Sequence, residues 1–103
     1  VISSGALRAQ YRQLDEEKST PEHPIHPWAD PVPIEPGKVY EYNIQMLPAA
    51  CVFQKGHQIE LVIRNQDDLR SKMAMNGVYR LPFMRSARHE IYFGKSHLLL
   101  PLT

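Results

Sequence analysis

The chain has 103 residues, the size of one small domain, and its composition is 43% apolar and 22% charged. A formal net charge of +1 excludes the domain-wide basicity that nucleic-acid binding requires. No apolar run is long enough to cross a bilayer and no segment has the pattern of a signal peptide, so we expect a cytoplasmic protein without a membrane partner.

Five segments have the period-two alternation or the apolar character typical of β-strands. They are residues 7–12, 40–46, 58–64, 90–93 and 97–102. Outward-facing residues of the first segment include Arg8 and Arg12. The side chains predicted to face the core are Leu7, Ala9 and Tyr11, then Tyr40, Tyr42, Ile44 and Met46, and then Ile59, Leu61 and Ile63.

Two irregular connections separate these segments. Residues 13–38 are rich in proline, which favours extended structure over helix, and we expect Ile25 and Trp28 to anchor this loop by burying apolar area. Residues 65–88 form the second loop, where a short helical turn could lie. Pro36-Gly37 and Lys55-Gly56 are predicted turns.

Strands joined by turns and long loops predict an all-β fold, an antiparallel β-sandwich that forms a single domain over residues 1–103. Five strands are few for a complete sandwich, and the sequence lacks an initiator Met. We therefore expect a partial sandwich. Its unpaired strand edges are expected to cause self-association of the isolated chain.

The candidate chemical groups are few. His23 and His26 are three residues apart and could hold a metal, although prolines beside them make a hydrogen-bonded, loop-anchoring pair the preferred interpretation. His57 follows a predicted turn, where a catalytic role is the weaker alternative. Asp67-Asp68 could bind calcium or pair with a neighbouring arginine.

Nucleophilic catalysis has no support in the sequence. Cys51 is the single cysteine, which excludes an internal disulfide, and its apolar surroundings predict a buried, inert thiol. A Gly-x-Ser-x-Gly elbow, a phosphate-binding glycine loop and a dinucleotide fingerprint are all missing from the sequence. We therefore predict no catalytic residue, no cofactor and no metal for this chain.

Six motifs follow one another along the chain. They are Gly5-Ala6-Leu7-Arg8-Ala9-Gln10-Tyr11-Arg12, Leu14-Asp15-Glu16-Glu17-Lys18-Ser19-Thr20-Pro21, Pro24-Ile25-His26-Pro27, Ile34-Glu35-Pro36-Gly37-Lys38-Val39-Tyr40, Val52-Phe53-Gln54-Lys55-Gly56-His57-Gln58-Ile59-Glu60-Leu61, and His89-Glu90-Ile91-Tyr92-Phe93-Gly94 with Ser96-His97-Leu98-Leu99-Leu100-Pro101. In this order they resemble the C-terminal region of the X-Pro dipeptidyl-peptidase and cocaine esterase (CocE/NonD) family of serine hydrolases. Three departures are Glu16, where the family has proline, Ile25, where it has an aromatic residue, and Leu47-Pro48-Ala49-Ala50, where it has W-P-T-S.

The resemblance implies the later part of a jelly-roll, galactose-binding-domain-like module that packs on an α/β-hydrolase domain. That partner domain would carry the Ser-His-Asp triad, so the parent would be an acyl esterase or X-Pro dipeptidyl-peptidase, and its substrate class stays open. The rival function is an independent carbohydrate-binding module, which would need exposed loop aromatics. The loop candidates for that role are Trp28, Tyr79 and Phe83.

Overall fold

The computed structural model of the chain describes residues 2–64 and 88–102. The chain divides into two compact units, Val1–Ile63 and Arg64–Thr103. Over the described residues, regular structure is limited to one short 3₁₀ helix and isolated β-bridges. The β-sandwich therefore stays a prediction, and so does the helical turn in the second loop, because that loop lies almost wholly outside the described residues.

The start of the first unit pairs with the end of the second predicted strand. Gly5 and Met46 form an antiparallel bridge, and the Leu47 N–H donates to the Ser4 carbonyl over 2.9 Å. A Cβ at position 5 would overlap the Gln45 carbonyl oxygen. Glycine is therefore required here by the close approach of two backbones, and not by an unusual φ.

The strand predicted at residues 7–12 is wrong over Ala9–Tyr11, which forms a 3₁₀ helix. The Tyr11 N–H donates to the Arg8 carbonyl over 2.9 Å, an i to i−3 bond that coils the backbone instead of extending it. Arg12 was expected to point outward, but it is half-buried, and its guanidinium donates to the Ala9 carbonyl over 3.1 Å. Tertiary bonds of Arg12 thus override the alternating pattern.

Both glycine turns are confirmed. Gly37 has φ 80° and Gly56 has φ 90°, the left-handed region that glycine enters without a Cβ clash. The Lys38 N–H donates to Glu35 over 3.3 Å, and the His57 N–H donates to Gln54 over 3.0 Å.

The second unit contains one described turn, between the last two predicted strands. The amides of Lys95 and Ser96 both donate to the Tyr92 carbonyl, over 3.2 and 3.0 Å. The turn covers residues 93–95 and reverses the chain between residues 90–93 and 97–102. An exposed ion pair, Arg88 with Glu90 at 3.5 Å, precedes it.

Burial in the described residues differs from the sequence prediction. No hydrophobic side chain among them is buried, and His26, at 8% exposure, is their one buried polar residue. Cys51 was expected to be buried, but it is exposed. The expected core face of the third segment is also open, because Ile59, Leu61 and Ile63 are each more than half exposed.

The apolar face predicted for residues 40–46 is only partly covered. Tyr40 and Met46 are half-buried, whereas Tyr42 and Ile44 are exposed. Tyr40 is covered in part by Arg12, and Met46 pairs with Gly5. The contact between Arg12 and Tyr40 belongs to the candidate site described below.

Candidate interaction site

The proline-rich loop 13–38 contains a tight, capped turn just before its histidine segment. Thr20 and His23 exchange both backbone hydrogen bonds at 3.1 Å, with Pro21-Glu22 between them. The Thr20 hydroxyl also accepts from the His23 N–H over 3.1 Å. Because this short bridge satisfies its own backbone, it fixes the direction in which the chain enters the histidine segment.

A second set of bonds holds Ile25 beside the start of the loop. The Asp15 N–H donates to the Ile25 carbonyl over 2.8 Å, and the Ile25 N–H donates to the Ser19 hydroxyl over 2.9 Å. Both backbone polar groups of Ile25 are thereby paired. Ile25 therefore anchors the loop through its backbone, whereas the sequence predicted anchoring by apolar burial, and its side chain is only half-buried.

His26 joins three stretches of the chain that are far apart in sequence. Its Nδ1 lies 2.9 Å from the Gln13 carbonyl oxygen, and its Nε2 lies 2.8 Å from the Asn43 carbonyl oxygen. A carbonyl oxygen can only accept, so each ring nitrogen must donate through an N–H. The neutral imidazole carries one N–H and makes one of these bonds, whereas the imidazolium makes both.

His23 reaches the same predicted strand by a different contact. Its Nδ1 lies 2.7 Å from the side-chain amide nitrogen of Gln45, which donates to it. The two histidines therefore contact Asn43 and Gln45, one through backbone and the other through a side chain. The hydrogen-bonded, loop-anchoring interpretation of the pair is confirmed.

These contacts leave the two rings directed at separate partners. The ring nitrogens of His26 lie 2.9 and 2.8 Å from the carbonyl oxygens of Gln13 and Asn43, so each nitrogen faces a protein group. Among residues 2–64 and 88–102, no group of three His, Cys, Asp or Glu side chains is placed to hold a metal ion.

Arg12 makes a second group of contacts that hold the loop, and the sequence did not predict its role. Its guanidinium donates to the Val32 carbonyl over 2.8 Å and stacks 4.2 Å from the centre of the Tyr40 ring. The Tyr40 hydroxyl in turn accepts from the Glu35 N–H over 3.0 Å. A planar, multi-donor guanidinium suits this combination of carbonyl binding and ring stacking. The sequence offered only an arginine at the end of one predicted strand and two tyrosines, Tyr40 and Tyr42, in the next. This combination is too common to predict a contact.

Trp28 contacts residues of this site and lies on its solvent-exposed side. Its ring lies 5.9 Å from Tyr11 and 5.5 Å from His26, measured between ring centres, with tilted planes. The expectation that Trp28 buries its apolar area is wrong, because 57% of the residue is exposed. Its φ of 56° is in the left-handed region, as is that of Asp30 at 53°. A bulky residue at such a φ is strained.

The remaining candidates lie apart from this cluster. His57 follows a turn, as predicted, and its backbone N–H closes that turn. The Cys51 thiol contacts the carbonyl of its neighbour Val52 at 3.8 Å and is exposed. Asp67-Asp68, Tyr79 and Phe83 lie outside the described residues.

Comparison with known proteins identifies the family. Residues 1–97 match the X-Pro dipeptidyl-peptidase C-terminal non-catalytic domain, and the chain belongs to this family. The resemblance found in the sequence motifs is thereby confirmed at the family level. None of the curated proteins and none of the solved structures compared with the chain matches it significantly.

The matched family is described as non-catalytic.

In the described part of the chain, no helix is long and apolar enough to cross a bilayer.

Proposed function

We propose that this chain is a supporting β-sandwich domain that packs on the α/β-hydrolase domain of a CocE/NonD-type acyl esterase or X-Pro dipeptidyl-peptidase. The family match over residues 1–97 supports a C-terminal, non-catalytic role. The proposed jelly-roll fold and the serine-hydrolase parent follow from the motif resemblance.

One observation about burial carries the packing part of the proposal. The described residues bury no hydrophobic side chain, although 43% of the sequence is apolar. Burying apolar surface stabilises by about 25 cal/mol per Å² and is the main favourable contribution to folding. A chain that leaves so much apolar surface open requires another polypeptide to cover it.

Several of the exposed apolar side chains are neighbours in the sequence, so one covering polypeptide could bury them together. Ile59, Leu61, Val62 and Ile63 are all more than half exposed in one continuous segment. Successive side chains of a strand point to opposite faces, so apolar residues at consecutive positions, as at 61–63, are the pattern expected of a strand covered on two faces. We therefore place the contact with the hydrolase domain, or with strands that complete the sandwich, on this segment.

The test measures binding of the chain to the purified α/β-hydrolase domain of its parent. Calorimetry gives the affinity, and co-elution in size-exclusion chromatography shows whether a complex forms. We expect a stable complex. Leu61→Glu places a charge on the covered segment and should weaken it at least about tenfold, since an unpaired charge is costly to bury. Gln58→Glu adds the same charge three residues earlier and should have a much smaller effect.

Activity measurements complete the test. The isolated chain should hydrolyse neither X-Pro anilides nor activated esters above the buffer rate, whereas the hydrolase domain should hydrolyse one of them. Turnover by the isolated chain would contradict a purely supporting role. A hydrolase domain that neither binds the chain nor gains stability from it would contradict the packing proposal.

A further inference from the structure

The ring of His26 has more hydrogen-bond acceptors around it than its neutral form can satisfy. Carbonyl oxygens of Gln13 and Asn43 lie 2.9 and 2.8 Å from its two nitrogens. In the neutral imidazole one nitrogen carries no hydrogen, so at one of these contacts a lone pair would face a lone pair. His26 is 8% exposed, which leaves little room for water to relieve that contact. The two bonds are complete only when both ring nitrogens are protonated.

The surroundings of the ring oppose the cost of placing a charge there. Both contacts of the imidazolium are charge-assisted hydrogen bonds to carbonyl dipoles, which are stronger than neutral ones. The Trp28 ring lies 5.5 Å from the imidazole, measured between ring centres, which is within the distance at which an aromatic ring attracts a cation. Burial acts in the opposite direction, because it disfavours the charged form. Two hydrogen bonds and one aromatic contact therefore offset the desolvation of the imidazolium.

The charged groups on the stretches that meet at this ring have partners of their own. Residues 12–15 and 40–46 carry Arg12, Asp15 and Glu41. Arg12 binds two backbone carbonyls, Asp15 pairs with a lysine at 3.5 Å, and Glu41 accepts from a neighbouring asparagine side chain over 3.0 Å. In the described part of the chain, none of the three is bonded to the imidazole. Protonation of the ring is therefore coupled to the two carbonyls and not to an ion pair.

His23, three residues earlier, responds to a proton in the opposite way. Its Nδ1 accepts from the Gln45 side-chain amide over 2.7 Å. An imidazolium has no nitrogen lone pair with which to accept, so protonation of His23 removes this bond. The two histidines of the loop therefore give pH dependences of opposite sign, and an experiment can separate them.

We propose that His26 is a proton-dependent latch that holds loop 13–38 against residues 40–46. At the acidic end of the range in which histidines titrate, about pH 5 to 8, the imidazolium binds both carbonyls. As the pH rises through that range, the ring loses a proton and one of its two contacts. Because the closed loop binds more protons than the open loop, closure weakens as the pH rises. The left-handed φ of 56° at Trp28 strains the backbone two residues later, which favours opening once a contact is lost.

The test measures two properties of the full chain between about pH 5 and 8, at a concentration low enough to prevent self-association. Hydrogen exchange of the Asp15 amide, which donates to the Ile25 carbonyl, reports on closure of the loop. Dividing the intrinsic exchange rate by the measured rate gives a protection factor that is free of the direct effect of pH. The ¹⁵N shifts of the His26 ring, assigned through bonds to its own backbone, show how many of its nitrogens carry a proton.

We expect the Asp15 protection factor to fall about twofold to tenfold as the pH rises, which is the effect of one net hydrogen bond. Both ring nitrogens of His26 should be protonated at the acidic end and one at the basic end, over the same pH interval. His26→Gln has a side chain that donates but does not titrate, so its protection factor should no longer fall. His23→Gln is the matched control, and its protection factor should fall at least as steeply as that of the unchanged chain.

Three outcomes would overturn the latch. One is an equal fall of the protection factor in His26→Gln, which would assign the pH dependence to another group. Another is a His26 ring that carries a single N–H throughout the range while the Asp15 amide stays protected, and the third is an Asp15 amide without protection at any pH. The ring shifts are measured on the unchanged chain, so they decide the question even if His26→Gln does not fold. The latch lies within Val1–Ile63 and needs no hydrolase domain, so its failure would leave the proposed function intact.

Discussion

At the scale of single residues, His26 joins three separate stretches of the first unit. The residues that it joins, Gln13 and Asn43, are 30 positions apart, and His26 is the one buried polar residue among those described. Loss of a hydrogen bond to a buried group costs about 1–3 kcal/mol when a partner is left unpaired. The hydrogen bonding of the His26 ring is therefore expected to stabilise the folded conformation of loop 13–38.

His26→Ala removes the ring contacts with Gln13 and Asn43, and we expect loop 13–38 to open more often. The exchange rate of the Asp15 amide hydrogen, which is bonded to the Ile25 carbonyl, should rise about fivefold to a hundredfold, corresponding to about 1–3 kcal/mol. Hydrogen exchange measured by NMR, with and without the hydrolase domain, checks this. His23→Ala removes a more exposed bond to Gln45 and should have a smaller effect. Equal effects of both variants would contradict the central role of His26.

Gly5→Ala tests the close approach of the two backbones. The new Cβ would overlap the Gln45 carbonyl oxygen, so the Gly5–Met46 bridge should separate, at a cost of about 1–3 kcal/mol. Exchange of the Leu47 amide, which donates to the Ser4 carbonyl, measures this separation. Gly94→Ala is the matched control, because a Cβ there meets no atom within 4 Å. An unchanged Leu47 exchange rate in Gly5→Ala would contradict the packing described.

At the scale of elements, loop 13–38 is held by side chains and not by regular structure. Arg12 connects three of its neighbours: the 3₁₀ helix, Val32 and the Tyr40 ring. The ion pairs of the loop contribute little by comparison: Lys38–Glu35 is a surface pair at 3.9 Å, and Lys18–Asp15, at 3.5 Å, joins an exposed lysine to a half-buried carboxylate. The loop should therefore respond to changes at Arg12 more than to salt.

Arg12→Lys keeps the charge but loses the planar, multi-donor group. We expect the bond to the Val32 carbonyl and the stacking on Tyr40 to weaken together. Exchange of the Val32 amide, which donates to Gln10, should rise about threefold to thirtyfold, from a loss of about 0.7–2 kcal/mol. Arg8→Lys, at an exposed position of the same segment, is the control. A similar change in both variants would show that Arg12 has no special role.

At the scale of the whole molecule, the described residues have hydrogen-bonded loops but no buried apolar side chain. Small domains depend on apolar burial for most of the free energy that opposes chain entropy. Hydrogen bonds contribute about 0.5–1.5 kcal/mol each and do not replace that burial. We therefore expect the stability of this chain to come largely from a partner.

The isolated chain should accordingly self-associate, and the hydrolase domain should suppress the association. Residues 58–64 are predicted to form a strand and expose apolar side chains, and an uncovered strand edge of this kind pairs with other copies. Analytical ultracentrifugation over a concentration series checks this, and Leu61→Glu should reduce the association more than Gln58→Glu. A chain that stays monomeric at all concentrations and unfolds cooperatively at high temperature would contradict the expectation.

The sequence by itself determined the family, both glycine turns and the anchoring role of the histidine pair. These features depend on local properties: motif order, the positive φ that Gly37 and Gly56 supply, and prolines that keep His23 and His26 in extended backbone. The period-two alternation was less informative, because it describes a strand only when a second layer covers one face.

Only the tertiary structure decided the contacts that define the site. The roles of Arg12 and of the Asn43 carbonyl depend on which distant segments meet, and alternation had placed Arg12 on the outside. The exposure of Trp28 was decided in the same way. Its indole is apolar enough to be buried, but the bonds of His26 and Val32 on either side hold it at the surface.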